Sequence, residues 1–186
     1  SAYGLVERDP SGAVLDFTEK TGEAVPGAVN AGTYVLERSV LDLIPPDREV
    51  SIEREVFPRL VGDGLYAVPL AGYWMDIGTP ERYLQATWDI LEGTVGTAVR
   101  ATAPGVYVDA GCEVAGSARI GPRAVVAAGS AVGADATVTN SVLLDGCTVG
   151  EGAAVSGSIL GAGTAIGPGS QLDGAVVAVD EGGPER

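Results

Sequence analysis

Four short stretches hold the residue types that could do chemistry. Phe17-Thr18-Glu19-Lys20 closes a predicted strand with an acid beside a base. Neighbouring strand residues face opposite sides, so Glu19 can accept bonds from sugar hydroxyls while the Lys20 ammonium neutralises a phosphate. An exposed ion pair at a turn gives the same sequence. Asn30-Ala31-Gly32 interrupts an apolar strand with an amide and a residue that has no side chain. Asn30 can donate to and accept from one diol, and Gly32 lets a ligand approach the backbone; a strand-entry turn is the other reading. Gly4, after Tyr3 in a strand, marks close approach of a ligand or of another strand. The stretch Tyr73-Trp74-Met75-Asp76-Ile77-Gly78-Thr79-Pro80 sets one carboxylate among apolar residues, just before a helix start. A carboxylate so flanked needs a partner. Backbone amides in the turn could serve, or a divalent cation such as Mg²⁺, which takes one or two carboxylates plus phosphates and waters.

What the chain lacks narrows the chemistry further. It has no histidine among its 186 residues, which removes imidazole bases, Ser-His-Asp and Cys-His nucleophiles and most zinc sites. Eleven Lys and Arg face 25 Asp and Glu, a net charge of −14 with no basic cluster, so nucleic acid and anionic membrane surfaces are poor partners. No apolar run approaches the roughly 18 residues that a membrane span needs. Cys112 and Cys147 are too few for a zinc cluster and read as reduced core thiols, which suits a cytoplasmic protein. The first residue is Ser1, without a signal pattern, and the chain reads as a piece of a longer protein.

The elements that position these residues differ along the chain. Nine of ten aromatic residues lie at or before Trp88, whereas 19 of 28 glycines lie after residue 92, so an α/β part precedes a small-residue part. Residues 3–7 and 13–19 read as strands around a turn at Asp9-Pro10-Ser11-Gly12, and 28–36 as a third strand. A short helix over 39–43 stops at Pro45-Pro46. Ser51 caps a helix over 51–60, and 65–69 is a strand. Thr79-Pro80-Glu81 opens a helix that runs to about Glu92: a capping hydroxyl, proline in the first position and an acid in the first turn. Residues 93–104 form a linker of small residues.

Beyond it the sequence is periodic. Val108, Val114, Ile120, Val126, Val132 and Val138 fall six apart, and Leu144, Val149, Val155, Leu160, Ile166, Leu172 and Val177 continue with some steps of five. A six-residue unit gives one short strand and a turn, and three units close a triangular coil with the aliphatic inside. The pattern predicts about four coils of a β-helix over 105–178 and a tail over 179–186. Two coils separate Cys112 from Cys147, beyond the roughly 7 Å that a disulfide tolerates.

In this order the motifs resemble the C-terminal half of the sugar-nucleotide pyrophosphorylase (sugar-1-phosphate nucleotidyltransferase) family. The matching stretches are Tyr3-Gly4-Leu5-Val6-Glu7, Phe17-Thr18-Glu19-Lys20, Val29-Asn30-Ala31-Gly32-Thr33-Tyr34, Ser51-Ile52-Glu53-Arg54-Glu55-Val56-Phe57-Pro58 and Gly72 to Pro80. The Ser51–Pro58 stretch and the repeats look most like the mannose-1-phosphate guanylyltransferase branch. The resemblance implies an incomplete Rossmann-like α/β transferase part over 1–92, followed by a left-handed parallel β-helix. It implies that a nucleoside triphosphate and a sugar 1-phosphate, here GTP and mannose 1-phosphate, give the nucleotide sugar and pyrophosphate. By resemblance, Gly4, Glu19, Asn30 and Gly32 bind the sugar, Lys20 binds its phosphate as the catalytic cation, and Asp76 is one Mg²⁺ ligand. Thr21 departs from the proline usual after Glu-Lys. The family's glycine-rich nucleotide loop has no counterpart before residue 92, so this polypeptide alone is expected to be inactive.

Three other readings are in play. A glucose-1-phosphate nucleotidyltransferase using UTP, dTTP or ATP keeps the mechanism with other substrates. A non-catalytic regulatory relative would bind sugar nucleotide without turnover. A hexapeptide acyltransferase shares the β-helix but relies on a histidine base. The flat faces of a β-helix also suit assembly, and a homo-oligomer is expected.

Overall fold

The computed structural model describes residues 4–18 and 27–178 and divides the chain into two units, 1–74 and 75–186. In the first unit, β1 (Leu5–Arg8) and β2 (Val14–Thr18) form an antiparallel hairpin with Leu5 opposite Thr18. Asp9 shapes its turn: Oδ1 accepts the Ser11 N–H at 2.8 Å and the Ala13 N–H at 3.0 Å. The Ser11 hydroxyl also donates to that oxygen, and together these bonds hold the Asp9 carboxyl below its ordinary range.

The expected third strand is cut short. Only β3 (Ala28–Val29) pairs with β1, giving the order β2-β1-β3. Asn30 ends it, because its Oδ1 accepts the Gly32 N–H at 3.0 Å and Gly32 turns the chain at φ +73°. A short polar side chain that bonds its own backbone competes with the ladder, and glycine tolerates the left-handed conformation. The 65–69 strand likewise reduces to a single antiparallel bridge between Tyr66 and Ala13.

The predicted helix over 51–60 exists with its cap, as the Ser51 hydroxyl accepts the Arg54 N–H at 3.3 Å. Its first part (Ile52–Val56) is wound wider than an α-helix, and the Phe57 N–H reaches back to the Ile52 carbonyl. Pro58 has no N–H for the Arg54 carbonyl, so the regular ladder cannot run through this point. α1 (Phe57–Leu60) follows. It buries Phe57 between Phe17 and Tyr34, edge to face, with ring centres at 5.3 and 4.8 Å. Beyond this small core the unit exposes a large apolar surface: Val35 is fully exposed, Val68 80% and Leu70 72%. A cavity of about 760 Å³ opens there, lined by Phe17, Tyr34, Phe57, Val68 and Trp74 among others.

The second unit begins before the compositional break at 92 because of α2 (Pro80–Leu91). The Thr79 hydroxyl accepts the Arg82 N–H at 3.4 Å, as the sequence predicts. The apolar stripe of α2 lies on one face of the repeat region. Trp88 and Leu91 pack with buried Val142, flanked by Tyr83, Tyr107, Val125 and Leu144.

Thirteen short strands over 106–177 form three parallel sheets of five, four and four strands, the faces of a β-helix of about four coils. Its interior is a column of aliphatic residues in which Val126, Val138, Leu143 and Leu160 are completely buried. One predicted position differs. Leu143, not Leu144, fills the interior, opposite Val126 on one side and Leu160 on the other, while Leu144 points out against α2. The five-residue step therefore falls between 138 and 143, so the first coil has 18 residues and the later ones 17.

Side chains brace the corners. The Ser141 hydroxyl donates to the Thr139 carbonyl and accepts the Ser158 N–H; Ser158 repeats this with Ser156 and Ala175. Cys147 is fully buried, and its N–H donates to the Ser130 hydroxyl in the coil below. Ser130 thus lies between the levels of Cys112 and Cys147, which are both free thiols. Burial pushes the Cys147 thiol up. At another corner a Cβ on Gly150 would lie 2.5 Å from the Pro168 nitrogen, so only glycine lets these coils stack.

Candidate functional site

Pairing of β1 with β3 brings three of the sequence-predicted residues together. Gly4 is buried, and its carbonyl accepts the Asn30 N–H at 2.8 Å; Gly32 closes the turn on the Asn30 side chain. The backbone of Gly4 and the side chain of Asn30 are thus held at one end of the small sheet, beside the apolar cavity that Asn30 helps to line.

Two further polar residues join this cluster, and neither stood out in the sequence as chemistry. Asn30 Nδ2 donates to Tyr34 Oη and to Glu53 Oε1, each at 2.6 Å, and the Tyr34 hydroxyl donates to the same Glu53 oxygen at 2.5 Å. Tyr34 comes from the chain that follows the Asn30 turn, and Glu53 from the first turn after the Ser51 cap. The available signal was positional: Glu53 is the third residue of the capped turn, and Tyr34 is four residues from Asn30. Neither spacing has meaning until the fold places 53 beside 30. Trp74 lies nearby, its indole N–H donating to the Ala31 carbonyl at 3.3 Å.

Asp76 belongs to the second unit. Its Oδ1 accepts the Gly78 N–H and its Oδ2 accepts from Arg82 Nη1, both at 3.0 Å, and both side chains of the pair are about 40% exposed. Asp76 therefore has backbone and guanidinium partners just ahead of α2, and Gly78 leaves the space its carboxylate occupies, since a Cβ there would lie 3.1 Å from Oδ1. Among the described residues no three acidic, cysteine or histidine side chains cluster as a metal site. A single half-exposed carboxylate fits a hard cation only where phosphate oxygens and water complete the shell, which is the way Mg²⁺ is commonly held. Glu19 and Lys20, the predicted sugar- and phosphate-binding pair, lie outside the described residues.

Two family profiles match consecutive parts of the chain. The one described as "Nucleotidyl transferase" covers residues 1–93, and the one described as "GMPPB C-terminal domain" covers 102–182. Among curated relatives, a mannose-1-phosphate guanylyltransferase of Mycobacterium tuberculosis is 38% identical over 77% of this chain and 40% of its own length. A mannose-1-phosphate guanyltransferase of Schizosaccharomyces pombe is 40% identical over 68% of this chain and 34% of its own. A UTP–glucose-1-phosphate uridylyltransferase of Synechocystis is 32% identical over 78% of this chain and 44% of its own. The chain thus spans less than half the length of these relatives. No helix among the described residues is long and apolar enough to cross a membrane.

Proposed function

Because the chain belongs to the nucleotidyl transferase family, we propose that it forms the sugar-phosphate-binding part and the β-helix of a mannose-1-phosphate guanylyltransferase. The observation that carries this reading is the agreement of the two profile matches and the guanylyltransferase relatives with one order of parts, transferase segment and then β-helix. The transferase part is assigned to 1–92, the linker to 93–104, the β-helix to 105–178 and the tail to 179–186.

In the complete enzyme a phosphate oxygen of mannose 1-phosphate attacks the α-phosphorus of GTP in line, and pyrophosphate leaves. Catalysis of such a step is positioning plus neutralisation of charge. The Gly4 backbone, Glu19, Asn30 and Gly32 hold the sugar, and Lys20 meets its phosphate. Asp76 would hold Mg²⁺, and the ion would supply further neutralisation of charge. Arg82 and the Gly78 N–H fix the Asp76 carboxylate in the orientation it presents. The open apolar surface around Val35, Val68 and Leu70 supports a further part of this reading: the nucleotide-binding half is contributed by other residues, and the 186-residue chain alone is inactive. The flat faces of the β-helix serve a homo-oligomer, and the nucleotide substrate and reduced thiols suit the cytoplasm.

The test is pyrophosphate release by the complete enzyme with GTP, UTP, dTTP or ATP, each with mannose 1-phosphate and glucose 1-phosphate, alongside Asp76→Ala. The expected result is turnover with GTP and mannose 1-phosphate that collapses at least a hundredfold in the variant. Preference for UTP and glucose 1-phosphate would favour the second reading, which the Synechocystis relative supports. No turnover with any pair would overturn both and leave a regulatory, non-catalytic protein.

A further inference from the structure

Two residues of the second unit stand against local preference, and they meet in space. Arg123 occupies a corner of the β-helix at φ +51°, where the later coils place Asn140, Gly157 and Gly174 at +48°, +57° and +63°. Glycine tolerates that conformation and asparagine accepts it, but arginine gains nothing from it. The same corner holds the extra residue of the first coil, since Ile120 and Val126 are six apart where Val138 and Leu143 are five apart. Glu92 is the C-cap of α2, with its N–H bonded to the Trp88 carbonyl at 2.8 Å, and the last turn of α2 holds no basic residue. A carboxylate there faces the negative end of the helix dipole, where a cation is preferred.

One bond accounts for both exceptions: Arg123 Nε donates to Glu92 Oε1 at 2.8 Å. With its side chains 43% and 41% exposed, the pair adds little to stability. What it adds is direction. Trp88 and Leu91 pack on Val142 through apolar contact, which is non-directional and leaves a helix free to slide or roll. The charged hydrogen bond at the end of α2 selects one position. The other end of the helix gives that position a use. Arg82, in the first turn of α2, holds Asp76 Oδ2 at 3.0 Å, and the second unit begins at Met75, so Asp76 travels with α2 and the β-helix.

We propose that Arg123 and Glu92 are positioning residues for Asp76: by pinning the far end of α2 to the β-helix, they fix where the Asp76 carboxylate is offered to the metal. The inference rests on the reading of Asp76 as an Mg²⁺ ligand and deepens it. The β-helix is then part of the framework of the reaction as well as a surface for assembly.

Arg123→Gly tests this, because glycine suits the corner, as Gly157 and Gly174 do, and removes the link to Glu92. In the complete enzyme kcat should fall about fivefold or more, within the roughly hundredfold that a misplacement of about 1 Å can cause. The KM for sugar 1-phosphate should stay put, because Gly4, Asn30 and Gly32 belong to the first unit. The thermal midpoint should hold or rise, so that lost turnover cannot be laid to unfolding. The reversed pair, Glu92→Lys with Arg123→Glu, should bring kcat back to within about threefold of native, although neither single variant does. An unchanged kcat in Arg123→Gly, a lowered midpoint that tracks the loss, or no recovery in the reversed pair overturns the proposal.

Binding of Mn²⁺, followed by the electron paramagnetic resonance of the free ion, gives a readout that needs no turnover. It is measured on the complete enzyme with the nucleotide sugar present to supply phosphate oxygens. The Mn²⁺ dissociation constant should rise about threefold or more in Arg123→Gly, short of the roughly tenfold or more that losing a direct partner of a metal ligand costs. If Asp76→Ala binds Mn²⁺ as the native enzyme does, the metal reading of Asp76 fails and the proposal with it. If Asp76→Ala weakens binding and Arg123→Gly does not, the metal reading stands and the positioning role is overturned.

Discussion

The exchange of Leu143 for Leu144 at the core of the β-helix leads to a sharp experiment. Leu143 is completely buried between Val126 and Leu160, so truncation to alanine leaves a cavity with no neighbour free to collapse into it. Such a change costs about 2–5 kcal/mol. Leu144 is half-buried against α2, and with about half of a leucine's transfer energy at stake its truncation costs about 1 kcal/mol. For a cooperative unit of about 110 residues, 1 kcal/mol moves the midpoint by about 4 °C. Leu143→Ala should therefore lower the thermal midpoint of the repeat unit by about 8–20 °C, and Leu144→Ala by about 4 °C. Circular dichroism at the β-sheet minimum follows the transition, and urea denaturation checks that the slope with denaturant is unchanged between variants. Because the two residues are adjacent and chemically identical, differences in propensity and unfolded-state behaviour cancel. A Leu144→Ala variant as destabilised as Leu143→Ala would refute the register and return the interior to a strict six-residue step from 138.

Two other outcomes follow from the protonation of single groups. The Asp9 carboxyl is held below its ordinary range, chiefly by the Ser11 hydroxyl, so its stabilising effect is present above the unfolded value near 4 and is lost as pH falls through the native value. The gap in thermal midpoint between the native protein and Asp9→Asn should be open at pH 7 and close below about pH 4; a gap that widens on acidification contradicts the turn described. Cys147 is fully buried with its thiol pushed up, and Cys112 is only partly buried. In native protein a thiol reagent should label Cys112 at least about a hundredfold faster than Cys147, because burial both shields the Cys147 sulfur and holds it in the thiol form, and comparable rates followed by mass spectrometry would contradict the packing.

The parts of this fold that could be read from the residues are those governed by short-range rules. Thr79-Pro80-Glu81 opens a helix wherever it occurs, because the cap, the fixed φ and the acid act within one turn. The β-helix was legible because each coil repeats the same demand for an aliphatic residue inside. The register slipped at Leu143-Leu144, where two identical side chains adjoin and only the partner strands decide which one faces inward. The strand expected over 28–36 failed for a local reason that the sequence did contain: Asn30 and Gly32 together prefer a turn that closes on itself. Gly4, Asn30 and Gly32 were legible as residues to single out, and the fold sets them together at one end of the small sheet; Asp76 has the turn amide that the sequence allowed and, besides it, Arg82, which the sequence did not announce. Tyr34 and Glu53 were not legible, since their roles arise from a contact across 23 residues of chain that no spacing rule anticipates.

The 17-residue coils also make length a quantity that this half of the molecule can change only in whole steps. Every strand residue from 141 onward pairs with the one 17 before it, and with nothing farther down the column. An in-frame duplication of one such coil would add a storey of about 4.8 Å and leave each storey with the neighbours it already has. A single inserted residue would turn every inward aliphatic above it toward solvent unless a corner absorbed it, as the corner between Ile120 and Val126 absorbs the one residue by which the first coil exceeds the rest. The β-helix is in this sense a ruler with a fixed graduation, and the stretch around 120–126, six residues where its counterparts at 138–143, 155–160 and 172–177 have five, is where one graduation differs from the others.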